Sequence, residues 1–134
     1  MNGIDPADDA ARWLRFAQED LESAQTILRE QGRAWRNACW HALQAAEKAC
    51  KAVLVLNGIA YPRTHDLDRL VLLLPAEMRS LIAGSDLSWL SEWAIESRYP
   101  GDWPEAERQD AERAIAIAGR VCERAAEVLS LRGG

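Results

Sequence analysis

RAWRNACWHALQAAEKACKAVLVLN, residues Arg33 to Asn57, is the stretch that decides the fold. At about 100° per residue, Trp35, Ala38, Cys39, Ala42, Ala45, Ala46, Ala49, Cys50, Val53 and Leu56 gather on one side of a helical wheel. Arg33, Asn37, His41, Gln44, Lys48 and Lys51 gather on the other, so the segment reads as one long amphipathic helix. Its apolar side is mostly Ala and Cys, which lets neighbouring helices approach closely.

Working outward, the N-terminal segment predicts a helix that Asp5 caps, with Pro6 in first position and Asp8 and Asp9 near the positive end of the dipole. It should run to about Glu30 and stop near Gly32. Trp13, Leu14, Phe16, Ala17, Leu21, Ala24, Ile27 and Leu28 form its apolar face, and Asp20 falls inside that face. A carboxylate there needs a partner. Two readings stand open for Asp20, a structural pair with a cation of the second helix or a site carboxylate.

After Asn57-Gly58 and Pro62, Thr64 or Asp66 can cap a short helix over Leu67 to Leu74, with His65 at the cap. Pro75 interrupts it, and the pattern resumes over Ala76 to Ile82 and again from Asp86 to Ser97. Arg98-Tyr99-Pro100-Gly101 is a turn. Asp102, followed by Pro104 and Glu105, has the spacing of a capping box for a last helix whose core face runs from Ala111 to Leu129. The fold class that follows is all-α, an up-and-down bundle of three long helices with shorter ones between them. One domain over residues 1–134 suffices, with about 1–4 and 132–134 frayed.

Composition narrows the function classes. Cys39, Cys50 and Cys122 all fall on apolar faces, without CxxC or Cys/His spacing, so they read as core thiols of a cytoplasmic protein and not as metal ligands. No stretch is long and apolar enough for a membrane span, and a net charge of −5 argues against a general nucleic-acid binder while leaving room for a local basic cleft. Six tryptophans against one phenylalanine, Phe16, imply that several sit at half-exposed positions.

Two features carry candidate chemistry. In the second helix Arg36, Asn37, His41 and Lys48 form a polar row without an acid in its first two turns, suited to holding a phosphate while His41 moves a proton; the plainer reading is a solvated face. Arg98-Tyr99-Pro100 could hold an anion and stack a base, or merely cap its helix and pack Tyr99 on the bundle. No glycine-rich nucleotide loop, Ser/His/Asp order or metal motif is present, and no cofactor is called for.

The run His41 to Leu54, HALQAAEKACKAVL, resembles the signature helix of the HEPN domain. Glu19 to Ala24, Pro62 to Leu67 and Ser97 to Pro100 agree with it in order. The resemblance implies a HEPN-like bundle, a homodimer, and nucleotide or RNA binding in the dimer cleft. It also implies work beside a minimal nucleotidyltransferase, here separately encoded, as in a toxin–antitoxin pair. On that view Arg98, Lys48 and Arg36 hold phosphate, Tyr99 stacks, Asn37 and His41 orient, and Asp20 positions a cation.

Many HEPN ribonucleases resemble one another in an Arg, a polar residue after it and then a His, with four to six residues between the Arg and the His, near the start of the last long helix. Arg98 resembles that Arg, yet Tyr99 to Glu107 contain no histidine. Arg36 and His41 match the spacing in the wrong helix and stand roughly 140° apart around it. A metal-independent ribonuclease using His41 or His65, and a pure protein-interaction module, remain as alternatives.

Overall fold

The computed structural model describes residues 5–30, 34–64, 66–82, 86–95 and 98–133. Helix α1 spans Pro6–Arg29, α2 Trp35–Leu56, α3 Leu67–Leu72, α4 Ala76–Ile82, α5 Asp86–Ser91 and α6 Arg108–Gly133, with a 3-10 turn at Pro100–Asp102. No strand occurs among the described residues, and the fold is an all-α bundle. His65, Arg33 and Gly32, singled out in the sequence, lie outside the described residues.

Asp5 caps α1 as its sequence requires, its Oδ1 accepting from Ala7 N at 2.9 Å. Ala10, Ala17 and Ala24, seven residues apart, are fully buried along α1. That period is the seam of two helices packed at a shallow angle, and methyl side chains on both sides of it bring the axes close. The matching surface of α2 is Ala38, Ala42, Ala45, Ala46 and Ala49, all at 0% exposure.

Helix α2 is the centre of the molecule. Twelve of its 22 residues are buried, Leu43, Glu47 and Leu54 on sides other than the alanine seam included. Asn57 and Gly58 end it, Gly58 at φ 68°, a left-handed conformation that only glycine adopts without strain.

Helix α6 starts beside the start of α2, where Arg36 Nε donates to Pro104 O at 2.9 Å, and beside the end of α1, where Arg108 reaches Leu28 O at 3.4 Å. At the other end Ala7 and Leu14 of α1, Leu56 of α2 and Leu129 of α6 line one shallow groove. So α1 runs antiparallel to both other long helices, and α3 to α5 carry the chain back between α2 and α6. Polar links tie the crossover down: Leu67 N donates to Ser91 Oγ at 2.9 Å, and Arg113 and Arg120 of α6 pair with Asp86 of α5 at 2.9 and 3.3 Å.

Two boundaries differ from the sequence expectation. Asp102 belongs to the 3-10 turn and Trp103 to Glu107 are non-helical, so α6 begins at Arg108, with Asp110 Oδ2 accepting from Glu107 N at 2.9 Å in place of the Asp102 box. The reason is tertiary: Trp103 and Pro104 are held out by Arg36 of α2, which a helix beginning at Pro104 could not satisfy. Likewise α5 ends at Ser91, because Trp93 and Ala94 turn inward to be buried at 4% and 7% exposure.

Candidate functional site

The residues expected to act together fall into two groups. The first lies on the flank of the bundle, where Asp20 of α1 faces α2. Lys48 Nζ stands 2.6 Å from Asp20 Oδ2, and His41 Nδ1 stands 4.0 Å from Asp20 Oδ1. The three side chains are 20–30% exposed, Asp20 least, so this is a half-buried cluster and not an open rim. His41 Nδ1 is buried and has no hydrogen-bond partner, while the ring packs edge-on against Trp40 at 5.2 Å. At 4.0 Å the imidazole is close to the Asp20 carboxylate without being hydrogen-bonded to it, a distance that would have to shorten before the pair could carry a proton. Lys48, by contrast, is held by Asp20; a phosphate could use it only by breaking that pair.

The polar row of α2 therefore does not open on one groove. Asn37 is exposed to solvent, Gln44 Nε2 donates to Glu47 Oε1 at 3.2 Å, and Lys51 lies over the rings of Trp13 and Tyr61 at 5.4 and 5.5 Å. Only His41 and Lys48 converge.

The second group is at the end of the bundle. Arg36 sits over the Trp103 ring at 5.6 Å, near Glu105 at 3.9 Å, and Trp103 Nε1 donates to Arg98 O at 3.0 Å. Arg108 lies over Trp35 at 5.5 Å. The turn carrying Arg98 and Tyr99 is thus pinned to α2 through an indole and a guanidinium. Tyr99 is 82% exposed, and the guanidinium of Arg98 has no ion-pair partner among the described residues. A cation with no ion pair among the described residues, next in the chain to an exposed aromatic ring on a turn held from behind, can take an anion and a planar group together.

Sequence reasoning overlooked Glu47, a carboxylate at 2% exposure inside the core. Its signal was available, since it follows Leu43 by four residues on a helix buried nearly all round. The cysteines are as inert as their positions suggest. Burial, with nearby Asp110 for Cys39, with Cys122 and then Glu47 for Cys50, and with Asp20 and then Glu123 for Cys122, pushes each thiol up to about 12. Among the described residues no three His, Cys, Asp or Glu side chains gather as a metal site, and no helix is long and apolar enough to cross a membrane.

A family profile for the HEPN domain matches residues 10–129, nearly the whole bundle. The chain belongs to the HEPN domain family. Two solved structures share this HEPN fold. TT1696 from Thermus thermophilus is 27% identical with a TM-score of 0.74, the alignment covering 88% of this chain and 96% of that one. ST0689, described as an archaeal HEPN homologue, is 26% identical with a TM-score of 0.69, covering 90% and 97%.

A protein of Methanocaldococcus jannaschii described as "Putative toxin MJ1304" is 41% identical over 54 residues, 40% of this HEPN chain. That match spans 34% of the relative's own length.

Proposed function

We propose that this HEPN domain binds a nucleotide, or the phosphate of RNA, at the Arg98–Tyr99 end of the bundle in the cleft of a homodimer, and acts with a separately encoded minimal nucleotidyltransferase in a toxin–antitoxin-like pair. The observation that carries the reading is Tyr99, 82% exposed beside an Arg98 without an ion pair among the described residues. An exposed aromatic next in the chain to an arginine suits stacking plus phosphate contact. Arg36 stands one indole away and adds positive charge. The toxin-like part draws on the similarity to the archaeal protein described above.

Thermal-shift measurement against nucleoside mono-, di- and triphosphates tests it, since a ligand bound only by the folded state raises the midpoint. The midpoint should rise with a nucleotide and the rise should vanish in Arg98→Ala; no rise with any nucleotide or oligoribonucleotide refutes the reading. Light scattering reads the dimer, and co-expression with a minimal nucleotidyltransferase reads the pair.

The geometry of Asp20 and His41 favours a second reading, a metal-independent ribonuclease with His41 as base. It requires RNA cleavage in chelator that is lost in His41→Ala. If neither ligand nor cleavage is found, a protein-interaction module is what remains.

A further inference from the structure

Beside Arg98 lies a groove of about 440 Å³ that the site above uses only through that arginine; Asp66, Asp68, Ser88, Ser91 and Glu92 line the rest of its polar wall. Part of this wall is occupied in joining the short helices. Ser91 Oγ accepts from Leu67 N at 2.9 Å, Asp66 Oδ1 accepts from Asp68 N at 3.0 Å, and the Ser88 hydroxyl donates to Asp68. Glu92 and Arg98 are exposed, and neither forms an ion pair among the described residues.

A guanidinium and carboxylates that share a groove without neutralising one another set a demanding specification. Ionised carboxylates only accept, so Asp68 and Glu92 ask for hydroxyl or ammonium donors. The arginine fork asks for an anion, phosphate best of all. A bare phosphate would face the carboxylates and be repelled; a simple cation would leave Arg98 unused. A phosphorylated sugar supplies donors and anion in one molecule, carboxylates bind ribose hydroxyls in nucleotide sites of other folds, and the volume is that of a small-ligand pocket. Tyr99 stands next in the chain with its ring free.

We propose that this groove is a ribose-phosphate subsite: Arg98 takes the phosphate, Glu92 and the second oxygen of Asp68 accept the sugar hydroxyls, and Tyr99 stacks on the base. The inference rests on the nucleotide reading of Arg98 and Tyr99 and adds to it a preference for ribose.

Calorimetric titration of the full chain with AMP, dAMP, 3′-deoxy-AMP and hexa-adenylate tests it, in wild type, Glu92→Gln and Arg98→Ala. In wild type AMP should bind about tenfold more tightly than the weaker of the two deoxy compounds, the loss expected for a hydrogen bond to a charged group. Glu92→Gln, at an exposed position that folding does not depend on, should abolish that ratio and leave the affinity for the weaker deoxy compound unchanged. Arg98→Ala should weaken all four ligands together. Tighter binding of hexa-adenylate than AMP, with the same Glu92 dependence, makes the source RNA; the reverse makes it free nucleotide, and either supports the subsite. Equal wild-type affinities for AMP and both deoxy compounds, or a ratio that survives Glu92→Gln, overturns the subsite while nucleotide binding at Arg98 stands. No binding of any nucleotide overturns both.

Discussion

Removing the carboxylate of Asp20 while Lys48 stays in place strands an ammonium between α1 and α2. The pair is short, 2.6 Å, and the side chains are 20% and 28% exposed. Deleting one partner of a fully buried pair costs about 3–5 kcal/mol, and an exposed pair contributes about 0–1 kcal/mol. With a quarter of each side chain in water, Asp20→Ala should cost about 2 kcal/mol, between those two limits. For a chain of this length that lowers the thermal midpoint by about 7 °C, taking the usual unfolding entropy per residue. Lys48→Met should cost a similar amount, since it strands the carboxylate, the less exposed of the two groups.

The double variant Asp20→Leu with Lys48→Met replaces the pair by apolar groups of similar size and should lie within about 1 kcal/mol of wild type. Urea unfolding of Asp20→Leu, Lys48→Met and the double gives the coupling energy directly. Asp9 and Arg12, 4.0 Å apart with side chains 33% and 50% exposed, serve as the control, expected to stay within about 0.5 kcal/mol. Should the Asp20 and Lys48 changes be as mild as that control, or simply add, the polar row of α2 is a solvated face after all.

Three further outcomes follow from the same structure. Because all three thiols are raised to about 12, the folded state keeps protons that the unfolded chain gives up above its ordinary thiol range. Stability from this source is whole below about pH 8.5 and is lost as pH climbs toward 12, by about 1–2 kcal/mol per thiol at pH 10; urea midpoints at pH 7 and 10 measure it, and native thiols should resist Ellman's reagent at pH 8. Asp86 is held below the usual carboxylate range, first by its hydrogen bond from Arg113 and also by Arg120, so its contribution is present above that range and disappears as pH falls through it. Asp86→Asn should flatten the acid limb of the stability curve and speed amide exchange in α5. Finally, Ala45→Leu pushes three extra carbons into a fully buried seam position and should destabilise by about 1–3 kcal/mol in chemical unfolding, whereas Ala60→Leu, at an exposed site, should not.

Much of the bundle could be read from local chemistry. The Asp5-Pro6 start, the Asn57-Gly58 stop and the break at Pro75 are set by backbone rules that hold wherever the segment packs, and the alanine face of α2 has one physical use. Asp20 was legible as a misfit on an apolar face, because an acid there demands a cation. What the wheel could not supply was the neighbour. Polarity at Asn37, His41, Gln44 and Lys48 looks alike in sequence, yet α1 claims two of these residues, Glu47 a third and solvent the fourth. The onset of α6 escaped for the same reason: Asp102 and Glu105 satisfy the local box, but Arg36, nearly seventy residues earlier, binds Pro104 O and Trp103 and overrides it. A long-range contact of that kind leaves no periodic trace.

The burial of twelve of the 22 residues of α2 bears on how such a domain can diversify. A helix so enclosed has few positions outside its polar row at which a new side chain can be tried without disturbing its packing, so a saturation scan should find most positions outside that row intolerant. Variation in what the molecule recognises is then forced outward, onto the turn at Arg98 and the short helices of the crossover, where a substitution meets solvent first and the scaffold hardly notices.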